Sequence, residues 1–380
     1  MRIDFSVRER LMRKSLNTLG LCFQCGTCTA TCPLSGEASI NYVRKLIKYA
    51  QYGVVPSDEK IIDFIWRCTT CGSCASSCPR GVDIPSIIRG YREILQEKRK
   101  TDPKITETLW RLYEARNPWG YSSSDLKKFR LNLKELTQSI QKPDYLLFAC
   151  CSSVIDPISQ RIIKSVSTIL RSLGYKVSVL DPMCCGHVIY DSGETAFLEE
   201  YLSTISDVLL KLEAPLVVHS PHTLYMMRKV YPEFGLKIPV EIYHHTQLIA
   251  ELISSGKLKL KTSGEIGLVT YHDPCYLSRY LRITEEPRHI LENIPGAKYI
   301  EMEHNREYTL CCGAGGGRIF SEEKGVRMAT YRLKEANDSN AKILSTACQF
   351  CLRMFIDEAK IFKTNIVEIV DVSDLVARLI

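Results

Sequence analysis

Apolar positions in the first hundred residues recur at the three-and-four spacing of amphipathic helices. Ile40, Val43, Leu46, Ile47 and Ala50 form one such face, which Gly53 would end. Shorter helical stretches run near Asp58 to Arg67 and from Pro85 to Lys100. A further helical stretch, TETLWRLYEAR (106–116), is broken by NPWGYSSS (117–124), a cluster of turn formers. From Tyr145 the period changes. Strand YLLFAC, a helix around Ser159–Leu173, strand KVSVL, a helix, strand PLVVHS and another helix follow in turn. The second half repeats this order with GLVTYHDPC, a helix near Glu286–Leu291, KYIEME, a helix, AKILST and a helix. Strands alternating with helices predict parallel sheets.

The halves are an internal duplication. Cys184–Cys185–Gly186 recurs as Cys311–Cys312–Gly313, and TQLIAELI from Thr246 recurs as SDLVARLI from Ser373, both 127 positions on (184 to 311, 246 to 373). Cys150 maps to Cys275 with a drift that two loop residues explain. The expected fold class is α+β multidomain. A helical module over 1–100 and a connection over 101–141 precede two repeated α/β lobes with parallel sheets, over 142–258 and 262–380. The connection is expected to strap the module to the lobes and to carry no function.

Composition adds one anomaly. The net charge of +7 comes from scattered basic residues, which gives little support to nucleic-acid binding. A basic face could dock an acidic partner or a membrane surface, but no position is marked for one. No apolar run approaches the ~18 residues of a membrane span. The start, MRIDFSVRERLMRKSL, is charged throughout and lacks a signal-peptide core, so a cytoplasmic protein is expected, reaching a membrane only through a partner. The anomaly is 17 cysteines. In a reducing compartment, so many thiols indicate metal.

Residues 22–33 read CFQCGTCTATCP and residues 68–79 read CTTCGSCASSCP. Each is C-x2-C-x2-C-x3-C-P, the bacterial two-cluster ferredoxin run, whose fourth cysteine serves the other cluster. Cys22, Cys25, Cys28 and Cys78 are therefore assigned to one [4Fe–4S] cubane, and Cys68, Cys71, Cys74 and Cys32 to a second. Paired C-x2-C units also suit zinc ribbons, but each run supplies four thiols within eleven residues, which favours iron–sulfur. The module over 1–100 is thus expected to be a ferredoxin-like carrier of two clusters.

The second half presents Cys275, Cys311, Cys312, Cys348 and Cys351 at three strand-to-helix junctions, where open α/β sheets hold ligands. Five sulfurs for four irons suggest a bridging thiolate and an opened or irregular cluster. The run Gly313 to Gly317 (GAGGG) would bring backbone N–H groups to an anionic cluster. A phosphate loop is disfavoured because no Gly-Lys-Ser/Thr follows. A zinc site with a spare thiol is the other alternative.

HDPCYLSR, CCGAGGGRIF and ACQFCLRMF resemble the cysteine-rich CCG domain found in the D-type subunit of heterodisulfide reductase. They are similar also to sulfur-metabolism subunits of related complexes and, more distantly, to iron–sulfur subunits of glycolate and glycerol-3-phosphate dehydrogenases. The resemblance covers nearly the whole chain. It implies that Cys275, Cys311, Cys312, Cys348 and Cys351 bind a non-cubane [4Fe–4S] cluster at which a disulfide is cleaved. His272 and Arg318 flank these cysteines in the sequence and are expected to supply a proton or hold an anionic substrate.

The first lobe departs from that pattern. Where C-P-x-C is expected it reads Ser220-Pro221-His222-Thr223, and hydroxyls are poor iron ligands. It keeps Cys150, with Cys151 beside it, and Cys184 and Cys185. These could bind zinc with His187, His219 or His222, could hold a modified iron–sulfur site, or could be vestigial, leaving the lobe as scaffold. His244 and His245 are expected to be structural.

The resemblance implies an oxidoreductase subunit. Electrons from a flavoprotein or a membrane cytochrome or quinone-linked partner would pass through the cubanes to the non-cubane cluster, which reduces a disulfide or oxidises thiols. The alternative is a non-catalytic electron-transfer subunit of a flavin-dependent glycolate/lactate or glycerol-3-phosphate dehydrogenase complex feeding a quinone pool. No G-x-G-x-x-G fingerprint stands at a strand-to-helix turn, so nucleotide cofactors would belong to partners.

Overall fold

The structure is a computed structural model that describes residues 3–36, 42–137, 140–262, 264–321 and 327–380. Ile40, the first position of the expected helical face, lies outside the described residues. The rest of that face is buried: Val43, Leu46, Ile47 and Ala50 point inward from the helix Val43–Tyr52, which ends on Gly53 at φ +67°. Asp4, Asp58 and Asp83 accept backbone N–H bonds at the starts of helices Phe5–Lys14, Glu59–Arg67 and Ile84–Glu97, satisfying groups the helix itself leaves open. Lys98 to Lys100 fall beyond the last of these helices.

Among the described residues the connection holds three helices where one was expected: Pro103–Ala115, Ser123–Asn132 and the single turn Lys134–Thr137. The Ser123–Asn132 helix begins at the end of the breaker segment. It has a weak apolar stripe, with Phe129 its one buried residue, and starts on a capping box between Ser122 and Asp125. Between the first two helices Trp119 packs on Phe320 and Phe350, with ring centroids 4.6 and 6.2 Å away. The breaker segment therefore reaches the second lobe's chemistry, against expectation.

Each lobe is built on a four-stranded, all-parallel sheet. The first has order β2-β1-β3-β4 and the second β6-β5-β7-β8, so the duplication is exact in topology. The strands are β1 (Tyr145–Cys150), β2 (Val177–Met183), β3 (Leu216–Val218), β4 (Ile242–His244), β5 (Gly267–His272), β6 (Ala297–Ile300), β7 (Ile343–Thr346) and β8 (Glu368–Asp371). Central register pairs are Leu147 with Val179 and Val217, and Val269 with Tyr299 and Ile343. β4 and β8 were not anticipated. They have three and four residues and lie at sheet edges, too short to show a period of two. Among the described residues no helix is long and apolar enough to cross a membrane.

Two buried nodes lock the module to both lobes. Asp191, from the first lobe, accepts hydrogen bonds from Arg89 Nε (2.9 Å), Thr70 Oγ1 (2.7 Å) and the Tyr276 hydroxyl (3.2 Å). Arg92, fully buried, donates to the backbone oxygens of Cys68 (2.5 Å), Asp191 (2.8 Å) and Gly316 (3.1 Å). The glycine run explains how the surfaces come so close. A Cβ on Gly315 would lie 2.3 Å from Thr69 O, and one on Gly316 would lie 2.1 Å from Cys68 O at φ +65°. Backbone passes over backbone here, and only glycine fits.

Gly316→Ala is accordingly expected to cost at least about 2 kcal/mol, from the left-handed backbone and the clash together. Gly174→Ala is the control, since it has positive φ (+84°) and open space at its Cβ. Thermal unfolding of the two variants compares them; equal losses would remove the clash from the account.

Candidate metal centre

In the module each cysteine run opens a loop that turns through a left-handed glycine, Gly26 or Gly72, into a single helical turn. The loops exchange their fourth cysteines. Cys28 has Cys22, Cys78 and Cys25 as its thiol neighbours. Cys32 faces Cys68 and Cys71, and Cys74 faces Cys68, Cys71 and Cys32. Burial, reinforced by the neighbouring thiols, pushes Cys28 and Cys74 up from the ordinary thiol value. The four thiols of the second group line a hollow whose other walls include Leu34, Val43, Phe64 and Ile88. Four sulfurs in an otherwise apolar pocket fit a cubane and offer nothing else for four desolvated thiols to do. Backbone N–H groups point at the sulfurs, from Thr70 to Cys68 (3.4 Å) and from Val82 to Cys78 (3.5 Å).

The second lobe gathers its five cysteines at the carboxyl ends of β5 to β7, all buried. Cys275 and Cys71 both abut Cys311, Cys351 Sγ lies 3.3 Å from Cys312 Sγ, and Cys348 abuts Cys351. Contacts with Cys311 and Cys351 hold Cys312 down at about 5. Burial alone would raise Cys348, yet contacts with Cys351 and His222 hold it at about 5 as well. These contacts favour the thiolate form of Cys312 and Cys348, the form that ligates iron. His272 completes the set: its ring nitrogen and the sulfurs of Cys312 and Cys351 lie within 4.8 Å of one another. Arg332 donates to His272 Nδ1 (3.0 Å), which fixes the ring proton on Nε2. Burial keeps that ring neutral, its pKa well below the ordinary histidine value.

One amide behaves as the glycine run suggested, Gly313 N–H donating to Cys311 Sγ at 3.4 Å; Gly315 and Gly316 serve the close packing instead. After Cys275 the chain makes one wide π-helical turn, Tyr276–Tyr280. From it Arg279 Nη1 donates to Cys71 O (3.1 Å) and the Tyr280 hydroxyl to Thr70 O (2.5 Å). These residues were missed in the sequence, although Tyr and Arg at helical spacing behind Cys275 were the available signal.

In the first lobe Cys151 abuts both Cys150 and Cys184, with Cys185 close by and Thr223 against it. Ser220 Oγ accepts from Thr223 N–H (3.4 Å) and caps the helix Pro221–Tyr225. The histidines are placed differently from one another. His187 Nε2 faces Asp191 at 3.5 Å. His219 is buried near His245, and His245 itself pairs with Asp371 at 3.0 Å. His222 crosses to the other lobe, where its ring lies against Cys348 and 5.3 Å from the Phe350 ring. In return Gln349 reaches Cys150, and Phe350 lines the first lobe's hollow with Trp119 and Phe320. Among the described residues the only group of three or more His, Cys or carboxylate donors within 4.8 Å is His272, Cys312 and Cys351.

Beside Gly313 a cleft of about 450 Å³ opens between the lobes, lined by Trp119, Ser152, Asp156, Arg318 and Arg353. Arg353 pairs with Asp156 across it. Arg318, expected to hold substrate, lines it but donates one guanidinium N–H to Arg67 O (3.3 Å).

Residues 18–82 match the 4Fe-4S dicluster domain and residues 269–356 the cysteine-rich CCG domain. The chain joins a ferredoxin-like front domain to a C-terminal CCG domain, and it is similar to iron–sulfur oxidoreductases and their subunits. More particularly, it is a protein like the D-type subunits of heterodisulfide reductase. It is 29% identical to the D-type subunit of the dihydromethanophenazine:CoB–CoM heterodisulfide reductase of Methanosarcina barkeri, over 97% of this chain and 96% of that one. It is also 31% identical to the probable iron–sulfur-binding oxidoreductase FadF of Bacillus subtilis, over 78% of this chain but 43% of that longer protein. Likeness to the EtfAB:quinone oxidoreductase of Syntrophomonas wolfei is 28%, over 73% of this chain and 41% of the relative. A hypothetical protein from Helicobacter pylori shares the fold at TM-score 0.56 and 15% identity, covering 99% of this chain and 73% of that one.

Proposed function

We propose that the chain is the electron-relaying and catalytic subunit of an oxidoreductase that interconverts a disulfide and two thiols. In this reading Cys22, Cys25, Cys28 and Cys78 hold one [4Fe–4S] cubane, and Cys32, Cys68, Cys71 and Cys74 hold a second. Cys275, Cys311, Cys312, Cys348 and Cys351 hold a non-cubane [4Fe–4S] cluster. When bound, that last group supplies the redox centre for RSSR + 2e⁻ + 2H⁺ ⇌ 2RSH. The observation that carries the reading is Cys71 lying against Cys311 while Gly313, the residue after Cys312, lines a cleft large enough for a small molecule. A relay needs the first feature and a substrate site needs both.

The chain's own residues do the remaining work. Trp119 and Phe350 wall the cleft with apolar surface and keep water from the sulfurs. His272, pinned by Arg332 with its ring proton on Nε2, stands beside Cys312 and Cys351 as a neutral N–H for a bound sulfur ligand. The barkeri protein, matched almost end to end, supports the sulfur chemistry. The likeness to an EtfAB:quinone oxidoreductase favours the second reading, an electron relay with no substrate of its own. Iron analysis and EPR of the anaerobically purified chain separate them. About twelve irons, from three four-iron clusters, with a signal that changes when thiol is added support the proposal. About twelve irons with thiol-silent spectra point to the relay, and about eight remove the third cluster.

The first lobe provides a gain-of-site test. Ser220 and Thr223 stand where the second lobe has Cys348 and Cys351, and both are fully buried. The double variant Ser220→Cys, Thr223→Cys is expected to raise iron content by about four per chain. Unchanged iron would mean that more than two ligands separate the lobes.

A further inference from the structure

The geometry points to a docking face for an acidic electron-carrying protein around Cys25, a surface that rests on assigning the first cubane to Cys22, Cys25, Cys28 and Cys78. Cys25 is the one exposed cysteine of the seventeen, so this cluster would come nearest to solvent. Large apolar side chains surround it without cover: Phe23 is 61% exposed, Phe5 67%, Tyr52 51% and Leu21 45%. Backbone contacts bring them onto one face. Asp4 N–H donates to Gly53 O (3.2 Å), which sets Phe5 beside Tyr52. Gln51 Nε2 donates to Cys22 O (2.9 Å) and Gln24 Nε2 to Gln51 Oε1 (3.1 Å), which sets the Leu21–Phe23 loop against the same helix end. Contiguous exposed apolar surface of this kind marks an interaction site.

The charged side chains that the helix Val43–Tyr52 brings to this face are all basic. Arg44, Lys45, Lys48 and Tyr52 form the exposed side of the helix Val43–Tyr52, and the Arg44 guanidinium lies against Gly26, the residue after Cys25. Arg8 and Arg13 are exposed on the neighbouring helix. Among the described residues, no carboxylate is within ion-pair distance of these five cations. A small apolar patch beside a basic row suits a transient partner steered by opposite charge. A redox protein with an acidic surface fits both features, and the exposed Cys25 gives it reason to dock here. An anionic lipid surface would match the charge but brings no electrons to that position.

The test uses the full chain, anaerobically purified with its clusters, and a photoreduced acidic plant-type ferredoxin as the probe. Reduction of the chain's clusters is followed optically with no thiol or disulfide present. The rate is expected to fall about tenfold or more from roughly 20 mM to roughly 500 mM salt. At low salt, the double variant Lys45→Glu, Lys48→Glu should lose a comparable factor with its iron content unchanged. Lys211→Glu, in the first lobe, should react as the wild type. Equal rates for the double variant and the wild type, or a rate indifferent to salt, would overturn the proposal. So would a double variant that keeps its ferredoxin rate but no longer co-sediments with phosphatidylglycerol vesicles, which would make the face a lipid surface. Because the assay contains no sulfur substrate, failure of the disulfide reading leaves it untouched, and failure here leaves that reading to its own test.

Discussion

Replacing Cys312 with alanine is expected to remove about four of about twelve irons and to abolish disulfide reduction, while both cubanes remain reducible. Cys312 sits centrally among the second lobe's thiols, close to Cys311, Cys351 and His272. No other donor stands ready to replace it, because His272 Nδ1 is already taken by Arg332. The cubane sets share no residue with it, so their EPR signals should persist with ordinary intensity. Groups that act as a unit lose nearly everything when one member goes, so the residual rate should be background. Two results would sink the assignment. One is a variant that keeps twelve irons, and the other is a variant that loses four irons yet still reduces disulfide.

Asp191→Asn is expected to destabilise the chain by about 3–5 kcal/mol, because it leaves Arg89 buried beside a neutral amide. Burial alone would raise the Asp191 pKa, but His187, Arg89, Arg92 and the Thr70 hydrogen bond hold it well below the usual carboxylate range. His187 is itself pushed down by burial and is neutral at pH 7, so Arg89 is the working counter-charge. A depressed carboxyl contributes its full stabilisation above the unfolded value near 4 and loses it only as pH falls below that. The difference between wild type and variant should therefore be flat from pH 6 to 8 in denaturant titrations. A difference that shrinks as pH rises through that range would instead assign the counter-charge to protonated His187. No difference at all would show that this node does not hold the module to the lobes.

The parts of this architecture visible in the sequence are those written in short-range pattern. The 127-residue offset gave two lobes before any strand was drawn, and the sheets share one order. The exchange of Cys32 and Cys78 was expected from the position of each before proline; in the structure Cys78 neighbours Cys28, and Cys32 neighbours Cys68. β4 and β8 escaped because a three- or four-residue strand carries too few positions to alternate. The helix Ser123–Asn132 escaped because it buries little, and its signature was a cap rather than a stripe. Long-range encounters left no local mark. Nothing near Gly316 says that it will meet Cys68 O, and nothing near His222 says that its ring will leave its own lobe. In each case the residue type was conspicuous, but its partner lay in another domain.

The reciprocal crossing of His222 and Phe350 bears on how such a chain can change over generations. In a duplicated protein the spare copy is ordinarily free to decay. Here the copy without a full set of cysteines supplies a side chain to its twin's thiols, while the twin walls the older hollow with Phe350. Trimming the first half away would expose the second half's sulfurs, so the two copies are inherited as one unit. Substitutions that look harmless in the depleted half are therefore expected to act on the thiols of the other.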